Sequence, residues 1–209
     1  MRDEGVTKYE CRFSKSEPPH HPQLAELISC RNRLFALGLI GVYPDGIGFG
    51  NVSFRPGGMQ NFFITGTQTG HKPVLSDADI SLVTGYDIGQ NRVTCEGSIP
   101  ASSESMTHAA VYEFSPAISA VIHVHHRALW LSGRGRLSTT EPQVPYGTPQ
   151  MAYEMWRLWS TSSLSSEQIL VMAGHEEGVI TFGASLAAAE NILLKALRQY
   201  TDTILPERL

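Results

Sequence analysis

The 209-residue sequence is short of charge: Asp, Glu, Lys and Arg together make up 17% of it, against about 25% in an average globular domain. The deficit fits a chain that hides part of its surface in an oligomer. No run of lysine or arginine occurs, and the net charge is −4, so the electrostatic footprint of a nucleic-acid binder is missing. Cysteine is scarce. Cys11, Cys30 and Cys95 are odd in number, widely spaced and form no CxxC pair, which excludes a disulfide framework and points to a reducing compartment. Long hydrophobic runs are absent too. The longest, Leu34 to Tyr43, holds two glycines and falls well short of the roughly 20 residues that span a bilayer. The first ten residues are polar and do not read as a secretory leader. A soluble, cytoplasmic protein with no membrane or nucleic-acid partner is expected. No HExxH helix, Walker A loop or GxGxxG turn is present, which removes the common metalloprotease and nucleotide-binding patterns.

Apolar residues are sufficient. They make up 42% of the chain, and a chain of this length is expected to form one domain. Residues 1–21 end in Pro18-Pro19-His20-His21 and read as a loose, flexible arm. Residues 22–209 read as the domain. Leu24, Leu27, Ile28, Leu34 and Phe35 recur at helical spacing before Gly38. Phe49–Phe54 and Asn61–Thr65 read as short strands flanking the turn Pro56-Gly57-Gly58. Ser76–Val83 reads as a turn with a short helix, and Arg92–Cys95 as a strand. A helix opens after Ser102-Ser103 and runs to about Phe114. Ala120–His126 reads as a strand, Thr148-Pro149 opens a helix, and Ile169–Ala173 and Val179–Phe182 read as strands. The last helix runs from about Ser185 to Tyr200. Interleaved strands and helices give an α/β class.

The chemistry concentrates around Ile122-His123-Val124-His125-His126. Alternate side chains of a strand point to opposite faces, so His123 and His125 share one face and Ile122, Val124 and His126 the other. Two imidazoles held this way on a rigid strand can chelate one metal ion. The alternative is three histidines in a strand for unrelated reasons. A catalytic metal has three protein ligands and an open position, so a third must arrive from elsewhere. His175 lies in Ala173-Gly174-His175-Glu176-Glu177-Gly178, a loop between two apolar strands, where functional residues gather. An ordinary surface histidine is the other reading. Glu104 opens a helix, where a carboxylate is favoured by the helix dipole. It reads either as that structural feature, or as a general base or displaceable ligand beside the metal. His108, one turn later, reads as a supporting residue.

Three segments offer backbone N–H groups or hydroxyls to an anion: Gly48-Phe49-Gly50-Asn51-Val52-Ser53, Thr65-Gly66-Thr67-Gln68-Thr69-Gly70, and Ser102-Ser103 at a helix start. Taken alone, each is equally a tight turn or a cap.

In order along the chain, Gly50-Asn51-Val52-Ser53, Ile64-Thr65-Gly66-Thr67, Ser102-Ser103-Glu104, His123-Val124-His125 and His175 ahead of Gly178 resemble the class II aldolase/adducin family, over about residues 24–200. The resemblance implies a three-layer α/β/α domain with a central, mainly antiparallel sheet. It implies one divalent metal per chain on His123, His125 and His175, with zinc (Zn2+) foremost and Mn2+, Fe2+, Ni2+ or Co2+ as alternatives. It makes Glu104 the catalytic acid/base, and Gly50, Asn51, Thr65, Gly66, Thr67, Ser102 and Ser103 the binding site of a small phosphorylated or carboxylated sugar. The activity implied is lyase chemistry of the aldolase type, through an enediolate that the metal stabilises. An epimerase or dehydratase on the same site, or a non-catalytic scaffold like the adducin head, are the alternatives. A homotetramer is implied as well. The sequence departs from the family's pattern in its longer threonine turn, in Glu176-Glu177 between His175 and Gly178, and in a short stretch after His126. Tyr146 and Tyr200 are candidates for the tyrosine that completes the substrate site in the sugar-phosphate aldolases.

Overall fold

The apolar stripe that starts at Leu24 forms helix α1 (Leu24–Ala36) in a computed structural model that describes residues 7–57 and 59–201. The first six residues of the expected arm, Gly58 of the expected turn and the last eight residues lie outside this description. Helix α1 buries Leu24, Leu27, Cys30 and Leu34 and stops just before Gly38, which takes φ +71°, a conformation glycine adopts without steric cost.

The strands are β1 (Glu10–Lys15), β2 (Gly41–Val42), β3 (Gly48–Phe49), β4 (Asn51–Phe54), β5 (Phe62–Thr65), β6 (Ile80–Asp87), β7 (Arg92–Gly97), β8 (Ala120–His125), β9 (Ser138–Thr139), β10 (Ile169–Val171) and β11 (Gly178–Gly183). The remaining helices are α2 (Ser105–Tyr112), α3 (Arg127–Gly133), α4 (Pro149–Thr161), α5 (Leu164–Glu167) and α6 (Leu186–Tyr200). Nine strands form one sheet in the order β1-β7-β6-β5-β4-β8-β11-β10-β9, and β2 and β3 pair separately. The sheet is mixed rather than mainly antiparallel as expected. Its inner pairings are antiparallel, but both edge pairings, β1 with β7 and β9 with β10, are parallel. A parallel pair needs a long crossover. Helices α4 and α5 supply it between β9 and β10.

Strand alternation sorts side chains into two cores, giving the three layers. Ile122, Val124, Val52 and Phe54 pack with Leu27 and Leu34 of α1 and Leu193 and Leu197 of α6. Val121, Ile64, Ile180 and Phe182 pack with Met106 and Ala109 of α2 and Met151 and Met155 of α4.

Two expectations change. The segment read as a loose arm contributes β1, whose register runs from Glu10↔Arg92 to Lys15↔Gly97. Its polar composition is that of an edge strand, and Tyr9, just before it, is buried and donates a hydrogen bond to the carbonyl of Ser102 at 2.7 Å. The helix expected within Ser76–Val83 is a single 3-10 turn, Asp77–Asp79, held by the Asp79 carboxylate accepting the N–H and hydroxyl of Ser76. From Ile80 the chain is strand, with a bulge between Val83 and Gly85.

The Tyr9 bond ties the sheet edge to the start of α2. Tyr9→Phe is expected to lower the unfolding free energy by about 1 kcal/mol in urea titrations, the usual net worth of a buried hydrogen bond. No change would mean that β1 is not docked there.

Candidate metal centre

Strand β8 lies between β4 and β11, with His123 opposite Asn51 on one side and Ile180 on the other. Its alternation sends Ile122 and Val124 into the α1/α6 core and turns His123 and His125 to the face covered by α2. His175 arrives from the loop between β10 and β11, held by its N–H to Met172 O at 3.1 Å and by Gly178 N–H to its own carbonyl at 2.9 Å. All three histidines are buried, and their ligand nitrogens lie within 4.8 Å of one another. His123 Nε2 and His125 Nε2 are 3.1 Å apart. Two nitrogens at about 2.0–2.1 Å from one tetrahedral ion stand about 3.3 Å apart, so this pair fits a shared divalent cation with little movement. Burial, reinforced by His125 and His175, drives the pKa of His123 well below its ordinary value, so this ring is neutral, the form that ligates metal.

Glu104 holds the N-cap position of α2, but its side chain makes no capping bond. The carboxylate is buried, with Oε1 3.7 Å from His175 Nδ1. His108, one turn on, joins a buried chain: its Nδ1 lies 2.7 Å from Ser53 Oγ, which lies 2.7 Å from the Tyr112 hydroxyl. His126 faces the other way, as alternation requires, and caps α3 by accepting the N–H of Leu129 at 3.1 Å.

A cavity of about 420 Å³ reaches this cluster at His123 and Glu104. Gly50, Asn51, Gly66, Thr67, Ser102 and Ser103 line it together with Glu104 and His123. Thr65 does not. It is buried in β5, and its hydroxyl accepts the N–H of Val52 at 3.2 Å, because strand alternation turns it onto the neighbouring strand. The N–H groups of Gly66 and Thr67 bond Asp79 O and Pro100 O. Gln68, Thr69 and Gly70 of the same expected segment, with His71 beyond it, complete that wall.

The domain model described as "Class II Aldolase and Adducin N-terminal domain" matches residues 25–196. The chain belongs to the class II aldolase and adducin family. Among solved structures it is similar to an L-fuculose 1-phosphate aldolase, with 20% identity over 92% of this chain and 94% of that one and a TM-score of 0.62. An L-fuculose-1-phosphate aldolase from Thermus thermophilus shares 22% identity over 87% of this chain and 97% of that one, with a TM-score of 0.52. A sugar-phosphate aldolase from Thermotoga maritima shares 16% identity over 88% and 97%, with a TM-score of 0.57. At these identities the likeness establishes the class II aldolase-like fold. Comparison with curated proteins gives no match.

Against that family background, three aromatic residues surround the histidines, and of these Tyr43 and Phe49 went unread in the sequence as their neighbours. The Tyr43 hydroxyl is 2.7 Å from His125 Nδ1 and donates to Glu177 Oε2 at 2.8 Å. Phe49 stacks on His125, with centroids 5.3 Å apart, and Tyr146 on His175, with centroids 4.2 Å apart. Of the two candidate tyrosines, Tyr146 is therefore at the site. Tyr200 packs against the α1/α6 core on the opposite face of the sheet. Only stacking partners or hydrogen bonds mark these residues, and neither leaves a motif in sequence.

Burial lowers the pKa of His108 to about 3. Between that value and about 6.5 the unfolded state binds a proton that the folded state does not, so stability is complete above pH 6.5 and falls as pH falls. His108→Gln is expected to remove about 2 kcal/mol of the stability lost between pH 7 and pH 5, at roughly 1.4 kcal/mol per pH unit below 6.5. Urea titrations of both proteins at the two pH values check this. Equal losses would show that His108 is not the buried neutral group described.

Proposed function

We propose that the chain is a divalent-metal-dependent lyase that carries out aldolase-type C–C cleavage on a small phosphorylated sugar or related ketose. The observation that carries this reading is the convergence of three buried histidines beside the buried carboxylate of Glu104, a cluster that meets a cavity lined by hydroxyls and backbone amides at His123 and Glu104. His123, His125 and His175 would hold the cation, with zinc foremost and manganese, iron, nickel or cobalt as alternatives. A divalent cation at such a site supplies Lewis-acid polarisation of substrate oxygens.

The chain's own groups do the rest. Glu104 takes a proton from the substrate and returns it, the role of a positioned general acid/base. Its burial keeps bulk water away from the carbanion left by bond cleavage. Among the described residues no lysine or arginine lines the cavity. The substrate's anionic end is therefore received by neutral donors: the Thr67, Ser102 and Ser103 hydroxyls, the Asn51 side chain and the amides of residues 68–70. L-fuculose 1-phosphate and related sugar phosphates are the first compounds to screen, since similar folds carry aldolases of that class. Epimerase or dehydratase turnover in the same screen would reassign the reaction while keeping the site. An adducin-like scaffold is disfavoured because the full ligand set and Glu104 are present together. A homotetramer belongs to the same reading, with light scattering as its check.

Purified protein is expected to carry near one metal ion per chain, lost in the double variant His123→Ala/His125→Ala. Absence of metal after incubation with zinc, manganese and cobalt would sink the enzyme reading. With an identified substrate, Glu104→Gln is expected to retain metal and lower kcat by about 10²–10⁴-fold. Full turnover in that variant would remove Glu104 from its role.

A further inference from the structure

The geometry points to a relay of Glu177, Tyr43 and His125 that fixes the metal-facing tautomer of His125, with Tyr43 and Glu177 as positioning residues. The inference rests on the metal reading of the preceding subsection.

Proton bookkeeping sets the direction of the relay. A phenol carries one proton. The Tyr43 hydroxyl lies 2.8 Å from Glu177 Oε2 and 2.7 Å from His125 Nδ1. An ionised carboxylate can only accept, so the phenol proton goes to Glu177 and the phenol oxygen accepts from His125 Nδ1–H. Nε2 is then left with its lone pair, and it is Nε2 that faces His123 Nε2 at 3.1 Å. A ligating histidine whose other nitrogen donates to a carboxylate or carbonyl is held in one tautomer and one orientation, and becomes a stronger donor. Here a tyrosine hydroxyl is inserted between ring and carboxylate.

The backbone is arranged to deliver Glu177. The carbonyl of Glu177 accepts the N–H of His126 at 2.9 Å, and Gly178 pairs with His125 in the register of β8 and β11. The residue bearing the carboxylate is therefore stitched to the strand bearing the ligand. Glu177 takes φ +69°, a left-handed conformation that favours glycine, yet a glutamate stands there. Arg127, 3.7 Å from Glu177 Oε1 and 2.8 Å from Glu176, lies on the carboxylates' outer side. Phe49 closes the opposite flank, its ring 4.5 Å from Tyr43 and 5.3 Å from His125. The relay also gives the two glutamates between His175 and Gly178 separate roles: Glu176 pairs with Arg127, and Glu177 turns inward.

The test is metal affinity, not turnover. Zinc and cobalt dissociation constants are measured by competition with a chelator for the parent, Tyr43→Phe and Glu177→Gln, together with the cobalt absorption spectrum and the urea midpoint of each metal-free protein. Tyr43→Phe is expected to bind about 10–100-fold more weakly, and Glu177→Gln several-fold more weakly, with shifted cobalt bands and midpoints close to the parent's. A parent that binds metal while either variant matches it within about twofold, with an unchanged cobalt spectrum, overturns the relay. A parent that binds no metal overturns the metal reading and the relay with it. Should Tyr43→Phe fail to fold, Glu177→Gln decides, since it keeps the volume and removes only the charge.

Discussion

Strand β8 has neighbours on both sides, β4 and β11, and a helical layer on each face. That placement constrains everything around it. Its register against β4 sets Asn51 beside His123, and its register against β11 brings Gly178, and with it the His175 loop, to the level of His125. A slip of one residue in either pairing would exchange the histidines with Ile122 and Val124. The apolar pair would then face the cavity, and two imidazoles would sit in the α1/α6 core. The hydrophobic demand of that core fixes the register, and the register fixes how the histidines converge.

Burying so much polarity in one place has a cost, and it is lowered where groups stay neutral or find partners. His108 and His123 stay uncharged through burial. Ser53 sits between His108 and Tyr112, and Arg55 lies over the Tyr112 ring while bonding the carbonyls of Ile118 and Ser115. Neutral imidazoles would leave a cation bound there with its charge to act on substrate oxygens.

Much of this was legible in sequence where a local rule operates. Period-two alternation put His123 and His125 on one face and His126 on the other, and the ordered motifs placed Glu104, Asn51, Ser102 and Ser103 at one site. What sequence did not show depends on partners distant in the chain. The polar strand β1 is a strand only because β7 offers it an edge, and β6 shows its identity only by pairing with β5 and β7. Thr65 carries a motif position, yet its hydroxyl is spent on Val52. Tyr43 ends an apolar run with no motif around it, and its importance lies in two contacts, 82 and 134 residues away.

The cavity's lack of cationic side chains has a counterpart just behind its wall. Arg31 is buried on α1, its guanidinium donating to the carbonyls of Thr69, at 2.7 Å, and of Lys72. Burial lowers its pKa to about 10, which still leaves it charged near neutrality. In a trans peptide the N–H points opposite to the C=O, and no cis bond occurs among the described residues. Drawing the Thr69 carbonyl toward Arg31 therefore turns the N–H of Gly70 away from it, and Gly70 lines the cavity. Only glycine fits there, since a Cβ would stand 2.2 Å from the carbonyl oxygen of Gly41. Arg31 thus orients a peptide of the cavity wall without lining the cavity itself. An anion held by such peptide dipoles and by hydroxyls would be fixed by geometry and not by a flexible cation.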